Sequence, residues 1–540
     1  MYENETIPWT PCGEVNGHLL ECGSIEVPLD HFDAKFSARK FGFDIAVIRL
    51  RARNLSHGRN LLIHPGNPGD SGMGFIYKHG GHLRTIVGEE HHIVSFDTRG
   101  LNASWPQVQC FRGESARKKN LNLWYKYIKR KEDVHAIWKK SQKFVNACEA
   151  NMGRHGKHIN SLQIAADIET IRKGLGQDTL DFWGLSYGGV LGHTYSMLFP
   201  DRVGRVILDG SLCPKNWFGH RAFDGLDYQV TNSFARFIER CHSNRATCPF
   251  EQIPDDFRAL DAQRVSFLEK IKTLKTPIKV RLNHTHHGLI GRLDLWTKGI
   301  IPALGSPLKW HDLASRLASL MRGDPEEAFL AYGTYYEPSL DGLVRDDYYD
   351  LLVLNDYTSV EWYREDLTGN YELRTLKAIL DIEPAYFLEF ERWSQAQQWR
   401  NPLATSVIMD DRFSKAPANP IMYISAGEPY ATRPHSDTTA LSRLDNQETL
   451  VIENNRGHTS ISMPSKCVAL AIREFLDGRP PTSQIDPDWG THLCHVDGPE
   501  FTPPDDLEAN ARKIVGNNEE DVRLYLAQVA LARDTNWRIL

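Results

Sequence analysis

Three short stretches of this chain hold residue types that could carry out nucleophilic chemistry. Gly184-Leu185-Ser186-Tyr187-Gly188 matches G-x-S-x-G, the pattern of a serine held in a sharp strand-to-helix turn. Glycines flank such a serine because the turn is strained and side chains two residues away would meet neighbouring backbone. A serine hydroxyl is a weak nucleophile and needs a base, and Arg456-Gly457-His458-Thr459 supplies a histidine late in the chain. The tetrahedral stage of acyl transfer also needs two hydrogen-bond donors for its oxyanion. One is the N–H of the residue after the nucleophile, Tyr187. The second is assigned to Asn67, in the Gly- and Pro-rich loop His64-Pro65-Gly66-Asn67-Pro68-Gly69-Asp70-Ser71-Gly72.

Those residues act together only if the elements around them bring them together. Runs of β-branched, aromatic and aliphatic residues at Phe43–Leu50, Asn60–His64, His92–Phe96, Leu180–Trp183, Arg205–Leu208, Ile421–Ser425 and Thr449–Ile452 read as strands. Several are almost wholly apolar, as in strands of a parallel sheet covered by helices on both faces. Ile164, Ile168, Ile171 and Leu175 share one helical face ahead of Gly176, so a helix feeds the strand before Ser186. The serine follows one strand, the Asn67 loop follows another, and His458 follows the last. From Ser211 to Pro417 the pattern changes to helical segments rich in Trp, Tyr, Asp and Glu, which reads as an insertion. The expected organisation is a core over 1–210, a helical lid over 211–417, the rest of the core over 418–480, and a tail over 481–540 whose helix near Glu519–Arg533 packs on the body.

Further motifs accompany these. Gly66-Asn67-Pro68-Gly69-Asp70-Ser71-Gly72, Phe96-Asp97-Thr98-Arg99-Gly100, Trp183-Gly184-Leu185-Ser186-Tyr187-Gly188-Gly189, Val206-Ile207-Leu208-Asp209-Gly210 and Gly457-His458 form a set that resembles the tripeptidyl-aminopeptidase group of α/β-hydrolases, related to prolyl aminopeptidases. Trp9-Thr10-Pro11-Cys12 and Val27-Pro28-Leu29-Asp30 are similar to that group as well. The resemblance covers the first 210 residues and residues 418–496 well, and the insertion poorly. It implies an α/β-hydrolase fold, a mostly parallel sheet flanked by helices with a large helical lid insertion. It also implies cleavage of short peptides from a free N-terminus, or of esters and amides, without a metal or organic cofactor.

One departure from the family pattern bears on mechanism. Where the family carries its acid in Gly-Glu-x-Asp-x-x-Thr-Pro, this chain reads Gly427-Glu428-Pro429-Tyr430-Ala431-Thr432-Arg433-Pro434, with Tyr430 in the acid's place. A catalytic histidine without a carboxylate partner loses orientation and stabilisation of its cation. Glu428, two residues earlier, is the preferred substitute, Asp209 is a second candidate, and a Ser-His dyad is a third arrangement. The leading function is therefore a serine hydrolase cleaving an ester or amide. A natural-product tailoring hydrolase or cyclase and a catalytically silent hydrolase-fold binding protein are the alternatives.

Composition narrows the partners. A net charge of -6 and a pI near 6.4 offer no general attraction for nucleic acid or anionic membrane, which favours a small molecule or short peptide. The basic stretch Lys118–Lys140 reads as a solvated helix, and His284, His286 and His287 lack the spacing of a metal site. Aromatic residues and acids between Tyr332 and Asp366 could wall a pocket or hold a substrate ammonium group. Among nine cysteines, Cys12 with Cys22 and Cys241 with Cys248 are spaced for short disulfide loops, and one must stay unpaired. Together with sequons at Asn4, Asn54, Asn102 and Asn283, this leans towards a secreted protein, although residues 1–13 lack the apolar run of a signal peptide.

Overall fold

Strands buried on both faces carry apolar residues at consecutive positions, and alternate side chains then serve two separate cores. The computed structural model describes residues 4–33, 42–53, 59–113, 115–116, 131–212, 214–218, 226–249, 278–283, 286–291, 294–335, 340–356, 395, 398–399, 416–426, 447–453, 457–487, 490–498, 500–501, 507–535 and 537. Its strands are β1 (Thr10–Val15), β2 (His18–Val27), β3 (Phe43–Leu50), β4 (Arg59–His64), β5 (His91–Phe96), β6 (Leu180–Leu185), β7 (Val203–Asp209), β8 (Ile278–Arg281), β9 (His287–Ile290), β10 (Thr334–Tyr335), β11 (Ile421–Ala426), β12 (Gln447–Glu453), β13 (Gln484–Ile485) and β14 (His492–His495). The helices that matter below are α1 (Gly72–Val87), α2 (Lys131–Lys157), α3 (Ser161–Gly174), α4 (Tyr187–Leu198), α5 (Leu340–Asp356), α6 (Lys466–Leu476) and α7 (Glu519–Asp534).

Eleven strands form one sheet in the order β1-β2-β3-β5-β4-β6-β7-β11-β12-β14-β13. From β5 through β14 every pairing is parallel, and the antiparallel pairs lie at the two ends. All residues of β5 and β6 are buried. Phe182 and Leu208 face a core shared with α3 and α4, whereas their neighbours Trp183 and Ile207 face one shared with α1, α6 and Trp537. Each large apolar side chain so buried is worth roughly 1.5–3 kcal/mol, which fixes the strand register more firmly than the ladder alone. The chain thus has the α/β-hydrolase fold, a mainly parallel sheet flanked by helices.

Side-chain capping sets where α1 begins, and a buried ion pair fastens α3 to the loop after β5. Ser71 caps α1 by accepting from Gly74 N–H at 2.9 Å, and its own hydroxyl donates to Asp97 at 2.6 Å. Arg99 makes a two-pronged buried pair with Asp167 of α3, at 2.7 and 2.6 Å. Between β7 and β11 the described segments are mostly helical, but β8, β9 and β10 add a small antiparallel sheet. Its strands of two to four residues are too short to show a periodicity in the sequence. Disulfides join Cys12–Cys22 and Cys241–Cys248, and also Cys110–Cys148 and Cys467–Cys494. The ninth cysteine, Cys213, lies outside the described residues.

Candidate active site

The chain reaches Ser186 from β6 and leaves it directly into α4. Ser186 has φ 51° and ψ -117°, a left-handed conformation that a side chain adopts only under strain. The flanking glycines show what allows it. A Cβ on Gly184 would run into the carbonyl of Gly188, and one on Gly188 would stand 3.0 Å from the Cβ of His64. The turn is closed by Ser186 N–H donating to Asp209 O at 2.8 Å, with Gly189 N–H donating to Ser186 O at 2.8 Å.

His458 comes from the loop after β12, 272 residues further along the chain, and its Nε2 lies 2.7 Å from Ser186 Oγ. Both side chains are buried, and burial lowers the imidazole pKa to about 4. Above that pH the ring is neutral and Nε2 can accept the serine proton, provided the other proton sits on Nδ1. The backbone N–H of His458 is held at 2.9 Å by the carbonyl of Gly305 and at 3.1 Å by the hydroxyl of Ser462.

The two segments expected to supply oxyanion donors leave neighbouring parallel strands side by side, since His64 of β4 pairs in register with Gly184 of β6. Asn67 is buried and its side-chain amide donates to Asp70 at 2.7 Å, while Asp70 N–H donates back to Asn67 O at 3.1 Å. That closes a tight turn in which the side chain is occupied and the backbone sets the shape. Tyr187 is fixed from its far end. Its hydroxyl lies 2.7 Å from Ser161 Oγ, which donates to Asp356 at 2.5 Å, and Asp356 also accepts from Trp217 Nε1 at 2.9 Å. Burial raises the Asp356 pKa to about 7.

Asp209 does not meet His458. Its oxygens accept from the N–H of Ser460 at 2.8 Å, from the Ser460 hydroxyl, and from Trp183 Nε1 at 3.1 Å. It ties the loop that carries the histidine to the end of β7. Nδ1 of His458 is buried and has no hydrogen-bond partner among the described residues. Glu428 and Tyr430 lie outside the described residues.

Sequence reasoning missed the Ser161–Asp356–Trp217 chain behind Tyr187, and Trp537, whose ring stands 5.1 Å from that of His458. Asp356 lies in the acidic and aromatic stretch whose composition suits a pocket wall or a substrate ammonium group. Its carboxylate is instead buried and engaged by Ser161 and Trp217. No local pattern marks a contact between residues 195 apart in the chain. Among the described residues no group of three or more His, Cys, Asp or Glu is arranged to hold a metal ion, and no helix is long and apolar enough to cross a membrane.

A family described as alpha/beta hydrolase fold matches residues 59–257. The chain is similar to serine protease Hip1 of Mycobacterium tuberculosis, 28% identical over 339 residues, which is 59% of this chain and 61% of that protein. The match therefore spans about three-fifths of that relative's length. It is 27% identical over 217 residues to a tripeptidyl aminopeptidase of Streptomyces lividans, covering 37% of each chain. Carboxylesterase B of Mycobacterium tuberculosis is 23% identical over 518 residues, 88% of this chain and 89% of that one.

Proposed function

The chain is an α/β-hydrolase resembling the tripeptidyl-aminopeptidase group, and from that premise we propose that it is a serine hydrolase cleaving an ester or amide of a short peptide or small molecule through an acyl-enzyme at Ser186. The observation that carries the reading is the 2.7 Å contact between Ser186 Oγ and His458 Nε2 across 272 residues of chain. In the proposed cycle Nε2 takes the hydroxyl proton as Oγ attacks the carbonyl carbon. The oxyanion is held by the N–H groups of Tyr187 and Asn67, and the leaving amine or alcohol departs with the proton from His458. Water, deprotonated by the same imidazole, then releases the acid. No metal or organic cofactor enters these steps.

The transient imidazolium forms in a buried pocket, where an uncompensated cation is costly. In the proposed site Glu428 supplies the compensating carboxylate at Nδ1. Relatives named serine protease, tripeptidyl aminopeptidase and carboxylesterase support both amide and ester substrates for this chain. Peptide release from a free N-terminus is the leading substrate class.

A substrate panel tests this. Tripeptide p-nitroanilides with free and with acetylated N-termini, and p-nitrophenyl esters, are presented to the wild type, Ser186→Ala and Glu428→Gln. The wild type is expected to cleave the free tripeptide amide in preference to the acetylated one. Ser186→Ala is expected to lose at least about 10³-fold in kcat, and Glu428→Gln a substantial part of it. Cleavage of esters alone would remove the peptidase reading, and activity unchanged in Ser186→Ala would remove the mechanism.

A further inference from the structure

Trp537, close to the end of the chain, touches two parts of the proposed site that are far apart in sequence. Its ring stands nearly perpendicular to the His458 imidazole, with centroids 5.1 Å apart and planes at 78°. Its indole N–H donates to Ser462 Oγ at 3.1 Å. That same oxygen accepts from the backbone N–H groups of His458 and Thr459, each at 3.1 Å. On another edge the six-membered ring presses on Gly66, where an added Cβ would stand 2.8 Å from Cζ3. Gly66 directly precedes Asn67, and its φ of +121° already favours glycine.

The indole is anchored as well as buried. It is 1% exposed. The segment leading to it is fastened by Lys309 Nζ donating to Thr535 O at 2.5 Å, by Asp534 with Lys78 at 3.2 Å, and by Arg533 with Asp312 at 3.4 Å. α7 packs along α1, the helix that begins just after the Asn67 loop. An imidazole can swing about its last torsion unless packing blocks it, whatever bonds its two ring nitrogens make. The perpendicular indole of Trp537 supplies such a wall on one side of the His458 ring.

We propose that Trp537 is a positioning residue, which holds the His458 ring towards Ser186 and sets the spacing between the base and the Asn67 loop. The proposal rests on the reading of Ser186 and His458 as nucleophile and base. It gives the C-terminal tail a part in the reaction: the tail supplies the wall against which the base is aligned.

Inactivation by a fluorophosphonate on the full chain separates these claims. In that reaction the Ser186 Oγ–P bond forms, the P–F bond breaks, and fluoride leaves as His458 accepts the hydroxyl proton. The limiting rate kinact reports alignment, whereas KI reports probe binding. Trp537→Leu, which fills space without a flat ring, is expected to lower kinact by about tenfold or more with KI within twofold of wild type. Trp537→Phe, which keeps a flat ring but loses the N–H to Ser462, is expected to recover part of that loss and to lie about threefold below wild type. A folded Trp537→Leu with wild-type kinact, or with only KI changed, overturns the proposal. Should Trp537→Leu fail to fold, Trp537→Phe decides, with about threefold lower kinact at unchanged KI in support and an unchanged kinact against. A wild type that takes no label at Ser186 would sink the underlying mechanism instead.

Discussion

Asp209 illustrates how a carboxylate can serve a candidate catalytic loop without touching its histidine. Burial raises its pKa to about 6, yet it accepts hydrogen bonds from both the N–H and the hydroxyl of Ser460 and from the Trp183 indole. Asparagine in its place would turn an amide N–H₂ towards one of those donors. Asp209→Asn is expected to lower the unfolding free energy by about 1–3 kcal/mol in urea titration and to reduce kcat through the displaced histidine loop. Unchanged stability would show that the carboxylate is dispensable. At this scale Ser186 and His458 were legible because each sits in a short pattern at a strand end. Asp356, Ser161 and Trp537 were not, because burial and partners well beyond any local pattern, 195 residues apart for Ser161 and Asp356 and 75 for Trp537 and Ser462, give them their roles.

At the scale of elements, legibility followed burial. β3, with its apolar run Ile45–Ile48, is read from sequence with the bounds it has in the fold, Phe43–Leu50, and β4, β5, β6, β7, β11 and β12 within a few residues. The hairpin of β1 and β2 went unread, since β1 is largely exposed and both strands carry Gly, Glu and Cys in place of an apolar alternation. β14 was hidden for a similar reason: His492 and His495 bracket a strand of only four residues. Disulfides behaved alike. Pairs separated by 10 and 7 residues are apparent from spacing, whereas those separated by 38 and 27 require the fold to bring α2 to the loop after β5 and α6 to β14. The face of α6 that carries Val468, Ile472, Phe475 and Leu476 is buried throughout. The strand-to-helix turn at Ser186 is where local and global requirements coincide, because a strained serine needs glycines on both sides and a packed helix behind it.

Across the whole molecule, burial of histidines sets the response to acid. His79, His158, His193 and His458 have pKa values lowered to about 4, and His64 and His92 to about 3, chiefly because burial disfavours the cation. Each takes up a proton on unfolding between its unfolded pKa, about 6.5, and its folded value. Stability that these groups contribute is therefore complete above about pH 6.5 and is lost as the pH falls. Asp209 and Asp356, with folded values near 6 and 7, act in the opposite direction and offset part of the loss. The histidines outnumber them, so the urea midpoint is expected to fall between pH 7 and 5, at roughly 2 kcal/mol per histidine before relaxation. A midpoint that is constant or rising over that range would contradict the burial of these rings. The central claim, that Ser186 is a nucleophile activated by His458, is tested most directly by intact-mass analysis after fluorophosphonate treatment at neutral pH. One adduct on the wild type and none on Ser186→Ala is the predicted result. An unmodified wild type, or an equal adduct on Ser186→Ala, would contradict it.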